Sequence, residues 1–307
     1  MTSKLKSMAG GAAAAAVLIV PAAAQTDWMS LPEKNADVHA VKVEDVVGNL
    51  TVNVRDTGPM TVNVSGTKER VRDIEITSIG SKLIISGSGP DNQSVWDWRN
   101  WFNFSDQGHN RPADLMIKVL VPKGADVNVE DLVGDATIGD TMGPLRFEAT
   151  ATKARIGRVS SAHVAMDGTG RVDIAAVDGP LDLSIAGSGK VAVGPTRKVS
   201  ADIAGAGDAT LGPIAGGLDL DIAGSGDITA ASVRGPVDLD IAGSGSVKIA
   251  SGEANPLHVD IMGSGNFTFG GVAVDPHIDA LGSGTVRLKS YRGKLSAEGM
   301  ANVKIGE

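Results

Sequence analysis

The feature that most constrains this chain is a short internal repeat in its C-terminal half. An apolar-x-apolar-x-Gly pattern recurs in eight copies, as in LSIAGSGKVAV from Leu183 and LDIAGSGDITA from Leu220. Seventeen to twenty residues separate successive copies, whose first glycines are Gly168, Gly187, Gly205, Gly224, Gly243, Gly263, Gly282 and Gly299. A unit of about 19 residues cannot bury its own apolar face, so the repeat predicts a stack of similar units.

Within each copy, apolar residues lie four and two positions before the first glycine and four and six positions after it. In one copy these are Leu239, Ile241, Val247 and Ile249. Alternation with a period of two predicts strands with one buried face, here two strands around a Gly-Ser-Gly corner whose glycines are free to take positive φ. Prolines mark a second corner, at Pro180, Pro236, Pro256 and Pro276. Stacked in parallel, the copies predict an all-β, single-stranded β-helix with coils of about 19 residues, right-handed by the general preference of parallel crossovers.

The N-terminal half shows the same alternation less regularly, over residues 41–54, 60–64, 74–85 and 115–121. VKVEDVVGNLTV from Val41 also resembles VNVEDLVGDATI from Val127. We therefore expect a looser β-rich region over residues 25–145 and regular solenoid repeats over residues 146–307, with continuity between the two favoured over a separate sandwich.

The first 24 residues predict export. Lys4 and Lys6 precede an Ala-rich apolar stretch, and Ala22-Ala23-Ala24 forms a small-residue cleavage site, which is the order of a signal peptide; an uncleaved anchor is the alternative. Cleavage leaves 26 of the 28 basic residues against 36 acidic ones, a net charge of −10, and no transmembrane helix is expected after it. An acidic chain without a basic cluster is a poor partner for nucleic acid, and a chain without cysteine has no disulfide or thiolate chemistry.

The tandem (I/L)-x-G-S-G-x-(V/I) turns, following the L-x-I-K-V-x-V-P-x-G stretch from Leu115 to Gly124, resemble the bacterial "head GIN domain" auto-transporter adhesin family. The resemblance runs from about Leu115 to the C-terminus. It implies a right-handed β-helix, export and an adhesin role, and it offers no catalytic residues to carry over. Because the sequence stops at Glu307 without a translocator barrel, we expect the periplasm, with the extracellular space or cell surface as alternatives.

Two features of the outer surface are candidate metal sites. Five aspartates lie three positions before the first glycine of their copies and should form a ladder that either keeps the solenoid soluble or binds calcium: Asp202, Asp221, Asp240, Asp260 and Asp279. Asp182, Asp219 and Asp238 should form a second ladder, and the opposite face a mixed row of Arg171, Lys190, Thr210, Thr229, Lys248, Thr268, Arg287 and Lys304. His258 and His277 occupy equivalent positions in successive coils, where a solvated pair is more ordinary than a metal pair.

Half of the ten aromatic residues lie in one polar segment, residues 87–113. They are Trp96, Trp98, Trp101, Phe102 and Phe104. This segment is expected either to cap the solenoid or to form a binding patch, since exposed aromatic clusters are usually interaction sites.

These patterns favour a non-enzymatic protein of the cell envelope. None of the repeat glycines completes a G-x-G-x-x-G or Walker motif, and no G-x-S-x-G elbow occurs. The first hypothesis is an adhesin or binding module with an envelope, glycan or protein partner. The alternatives are a structural scaffold that self-associates into a homo-oligomer and a polysaccharide-active β-helix enzyme, although repeats this uniform do not predict an elaborated catalytic groove.

Overall fold

The computed structural model describes residues 28–87, 114–299 and 302–306, and most of these residues form β-strands. The predicted signal peptide lies outside the described residues. The strands are β1 (Trp28–Ser30), β2 (Lys34–Ala36), β3 (Ala40–Val47), β4 (Asn49–Arg55), β5 (Met60–Thr67), β6 (Ile74–Ile79), β7 (Lys82–Gly87), β8 (Leu115–Pro122), β9 (Asp126–Ile138), β10 (Pro144–Val159), β11 (Ser161–Val177), β12 (Pro180–Gly187), β13 (Lys190–Val193), β14 (Lys198–Gly205), β15 (Asp208–Ile214), β16 (Leu218–Gly224), β17 (Asp227–Gly243), β18 (Ser246–Ile249), β19 (Gly252–Gly263), β20 (Asn266–Val274), β21 (His277–Gly282), β22 (Thr285–Arg292), β23 (Ser296–Gly299) and β24 (Asn302–Ile305). The one helix of the described residues is α1 (Lys68–Arg72). The all-β prediction is confirmed.

The C-terminal half is a parallel β-solenoid, as the repeat predicts. From β9 onward, the described strands pair in parallel with the equivalent strands of neighbouring coils. Ile222, for example, pairs with Ile203 on one side and Ile241 on the other. All four predicted inward positions are buried in every regular coil, and their side chains belong to one continuous core. Burial of these rows is the main stabilising contribution, because no disulfide exists.

Each coil has more inward positions than the four that alternation identified. The strand before the corner begins with a further buried residue, such as Leu218 or Val237. A third stretch of each coil contributes one more, such as Ile214 or Val233. The second of these positions escaped sequence analysis because a single inward residue shows no alternation, and because in one coil it is the polar Thr196.

The two glycines of each corner are required for different reasons. Gly243 has φ +136°, and the amide of the following Ser244 donates to the carbonyl oxygen of Gly224 one coil earlier, at 2.8 Å. Gly245 does not take a positive φ. A Cβ there would lie 2.8 Å from the carbonyl oxygen of Gly226 and 3.0 Å from Cγ2 of Ile222. The first glycine is therefore required by its backbone angle as well as by the close approach of the neighbouring coil, and the second by the close approach alone.

The stack of coils continues upstream of residue 146. β9 and β10 pair in parallel with each other, and β10 pairs with β11. β3 in turn pairs in parallel with β9, placing Val41 beside Val127 and Val43 beside Val129. The two similar segments of the N-terminal half are therefore neighbouring coils, although 86 residues separate them in sequence.

Antiparallel strands cover the N-terminal end of the stack. β5 pairs with β8, β1 and β2, and β6 pairs with β7, all antiparallel. Arg70 of α1 is buried and donates to the carbonyl oxygen of Val47, which joins this layer to the first coil. No helix within the described ranges has the length and apolar character needed to cross a membrane.

Candidate functional site

One outer face of the solenoid carries aligned rows of side chains, which we call the acidic face. It is formed by the strands that precede the corner glycines. Its aspartate row consists of Asp202, Asp221, Asp240, Asp260 and Asp279, each paired in register with the next. The predicted alignment of this ladder is confirmed. Its role in binding calcium stays a prediction.

Beside the aspartate row lies an apolar row that sequence analysis missed. Its members sit just before each corner glycine: Ala186, Ala204, Ala223, Ala242, Met262 and Leu281. Met262 and Leu281 are 63% and 64% exposed. With the aspartates, these side chains line an open groove of about 650 Å³ along six coils. Apolar residues repeated at this position in six of the eight copies could have predicted the row.

The central aspartates of the row have raised pKa values, because they are partly desolvated and lie close to other carboxylates. Burial raises the pKa of Asp221 above its ordinary value, and the charges of Asp202 and Asp219 raise it further. Burial likewise raises the pKa of Asp240, and the charges of Asp260 and Asp221 add to the effect. Like charges on neighbouring coils therefore repel one another along this row.

At the N-terminal end, the same row is neutralised within the chain. There it continues through Ser184 and Ala165 to Glu148, and beyond a shift in register Glu130 pairs with Glu44. The ammonium of Lys42 lies 2.7 Å from a carboxylate oxygen of Glu44 and 2.7 Å from one of Glu130. Arg146 forms an ion pair with Glu148. The Lys42 hydrogen bond lowers the pKa of Glu44, so this carboxylate is stabilised in its charged form.

No such compensation reaches the C-terminal part of the row. Within the described part of the chain, no Lys or Arg forms an ion pair with Asp202, Asp221, Asp240 or Asp260. Asp279 contacts His277, whose Nε2 lies 3.3 Å from its Oδ2. The carboxylates at the N-terminal end of this row therefore form ion pairs with Lys42 and Arg146. Those toward the C-terminal end form none with a Lys or Arg of the described residues.

The structure provides no coordination geometry for a metal on this face. His258 and His277 are aligned as predicted, with ring centroids 6.0 Å apart in an edge-to-face arrangement. Among the residues that the structure describes, no group of three or more His, Cys, Asp or Glu side chains could hold a metal ion.

The predicted row on the opposite face needs a correction. Arg171 and Lys190 pair with each other and then with Asp208, so they belong to a separate row. The row that contains Thr210 instead comes from Thr137 and Arg155 through Asp173 and Ala192, and continues through Thr229, Lys248, Thr268, Arg287 and Lys304. The error arose because both positions point outward and lie only two residues apart.

The aromatic segment adds nothing to the described site. Trp96, Trp98, Trp101, Phe102 and Phe104 lie outside the described residues, so both their capping role and their binding role stay predictions. The chain joins β7 to β8 through this segment.

The fold and the acidic face define a β-solenoid repeat protein whose outer surface displays aligned rows of identical or similar side chains. Residues 214–305 match the family described as "Putative auto-transporter adhesin, head GIN domain", so the resemblance read from the repeats is confirmed over this part of the chain. Comparison with curated proteins gave no match.

Several solved structures resemble the chain at low identity. A "putative adhesin" from Parabacteroides distasonis ATCC 8503 is 15% identical, with 92% of this chain and 98% of that chain covered and a TM-score of 0.42. A "putative adhesin" from Bacteroides fragilis NCTC 9343 is 15% identical, with 91% and 96% covered and a TM-score of 0.38. A "Putative lipid binding protein" from Parabacteroides distasonis ATCC 8503 is 13% identical, with 92% and 97% covered and a TM-score of 0.38.

Proposed function

We propose that this protein is a non-enzymatic binding module that is exported to the cell envelope and engages its partner through the acidic face. The observation that carries the proposal is the combination, on one face, of an open apolar groove and a row of aspartates, of which Asp202 to Asp260 form no ion pair with a Lys or Arg of the described residues. Export is supported by the predicted signal peptide, and the adhesin description of the matching family agrees with binding.

The uniformity of the face supports binding over catalysis. A catalytic site needs a base and a nucleophile or acid placed asymmetrically around one reacting atom. Here five successive coils present an Asp followed two residues later by an apolar side chain, as Asp221 and Ala223 repeat in Asp240 and Ala242. Such a face gives an extended partner several equivalent contacts instead of one reacting centre.

Charge reversal on the two faces tests the proposal. The chain without its predicted signal peptide would be immobilised and exposed to envelope fractions of the producing cell. We expect Asp221→Lys with Asp240→Lys to abolish retention of envelope components. The matched control, Asp208→Lys with Asp227→Lys on the opposite face, changes the charge equally and should retain them.

Two outcomes contradict the proposal. One is equal retention by both variants, or no retention by the unaltered protein. The other is time-dependent release of shortened glycans from the envelope fraction, which would identify an enzyme instead.

A further inference from the structure

We propose that the groove of the acidic face binds a basic amphipathic α-helix of a partner protein, with its apolar stripe on the apolar row and its Lys or Arg side chains along the aspartate row. This inference rests on the proposed binding function and names the class of partner. The occupant is deduced from charge, from apolar exposure and from backbone hydrogen bonding.

Charge complementarity requires a cationic partner. At the N-terminal end of the row, Lys42 and Arg146 neutralise Glu44, Glu130 and Glu148 within the chain. Asp202 to Asp260 receive no ion pair from a Lys or Arg of the described chain, so cations of a partner can relieve their repulsion. A partner with several cations in a row satisfies several coils at once.

The apolar row requires more than a cation. Met262 and Leu281 are neighbours on adjacent coils and are nearly two-thirds exposed. Exposed apolar side chains that continue an alanine-lined groove are typical of interaction sites, and methionine adapts its shape to varied partners. The partner therefore carries apolar side chains beside its cations, which an amphipathic polypeptide provides and a simple cationic glycan does not.

Backbone hydrogen bonding favours a helix over an extended strand. The strands of this face, such as β17, pair on both sides with neighbouring coils, so the face presents side chains and no free strand edge. A partner lying on it must satisfy its own backbone groups, which a helix does internally. Side chains at i and i+4 of a helix lie about 5–6 Å apart, close to the coil spacing of about 4.8 Å.

The dimensions set the length of the helix. The apolar row from Ala186 to Leu281 spans five coil intervals, or about 24 Å at the spacing of paired strands. A helix rises about 1.5 Å per residue, so about 16 residues cover the groove.

A fluorescent synthetic peptide of about 16 residues, with a Leu stripe beside a Lys stripe, is the probe, titrated with the folded protein by anisotropy. We expect binding that weakens about tenfold or more in Asp221→Asn with Asp240→Asn, and also as salt rises from about 50 to about 200 mM. Met262→Ser, at an exposed position, should also weaken binding about tenfold. The equal-charge control Asp208→Asn with Asp227→Asn should stay within about twofold.

Three results overturn the inference. The first is failure of the peptide to bind, or equal binding by a scrambled peptide of the same composition. The second is tighter binding of a chitosan oligomer that ignores Met262→Ser, which would make the occupant a cationic glycan. The third is a dimer in sedimentation velocity that Asp221→Asn with Asp240→Asn dissolves, which would make it a second copy. If the aspartates are needed for envelope retention but the peptide does not bind, the inference of a helical partner is wrong, whereas the proposed binding function is supported.

Discussion

Replacing the first glycine of one corner by alanine tests the solenoid register. In Gly243→Ala the new methyl group would lie 2.2 Å from the carbonyl oxygen of Gly224, at a residue whose φ is +136°. A backbone region that is essentially restricted to glycine costs about 1–3 kcal/mol for another residue. Relieving the contact also lengthens the 2.8 Å hydrogen bond from Ser244 to Gly224, worth about 1 kcal/mol.

The expected loss is therefore about 2–4 kcal/mol of unfolding free energy, or about 5–15 °C in melting temperature for a domain of this size. Circular dichroism at the β-sheet minimum, recorded during thermal unfolding, measures it. Ser244→Ala, at the exposed next position of the same corner, is the matched control and should change the midpoint by less than about 2 °C. A Gly243→Ala protein that melts with the control would refute the stacked corner.

Three further predictions concern the core, the charges and calcium. Ile222→Asp places an unpaired charge in the core and should unfold the C-terminal half, whereas Thr229→Asp on the outer surface should melt within about 3 °C of the unaltered protein; equal midpoints would contradict the inward row. The raised pKa values of Asp221 and Asp240 mean that the folded state holds their protons more tightly, so their stabilising contribution is complete below their ordinary pKa and is lost as the pH rises through the raised values. Asp221→Asn with Asp240→Asn should therefore be more stable than the unaltered protein at pH 7, by no more than about 1 kcal/mol because solvent screens these exposed carboxylates, and the difference should shrink as the pH falls through the raised pKa values; a variant less stable at pH 7 would show that the row does not repel. If the aspartate row binds calcium, millimolar calcium should raise the melting temperature more than sodium chloride of equal ionic strength, and Asp221→Asn with Asp240→Asn should abolish the excess; an equal effect of the two salts would contradict the calcium site.

The sequence predicts the alignment of the aspartate row, but it does not predict which carboxylates of that row are paired with a cation. The spacing of Asp221 and Asp240 relative to Gly224 and Gly243 predicts their alignment, since every coil repeats the same backbone path. Whether a carboxylate is neutralised depends on side chains that are not part of the repeat pattern. Lys42, for example, forms an ion pair with Glu130 of a neighbouring coil. That contact joins residues far apart in sequence, so no local spacing reveals it.

The sequence by itself determined the coil. Its period, its inward rows and its corner glycines all follow from local alternation, because a strand shows its buried face every second residue and a corner without room for Cβ demands glycine. The prediction of the outward rows was right where the register is regular, and wrong where it assigned Arg171 and Thr210 to one row.

Only the tertiary structure decided how the stack begins. Val41 lies beside Val127 on one side and beside Leu83 on the other, because the intervening strands β7 and β8 pair in parallel with β3 and β4. The antiparallel strands β5, β6, β1 and β2 then cover the end. Pairing between segments 86 residues apart depends on which surfaces remain unburied once the local units have formed. The nineteen-residue period does not predict this pairing. In the folded chain, the pairing buries the exposed face of the first coil.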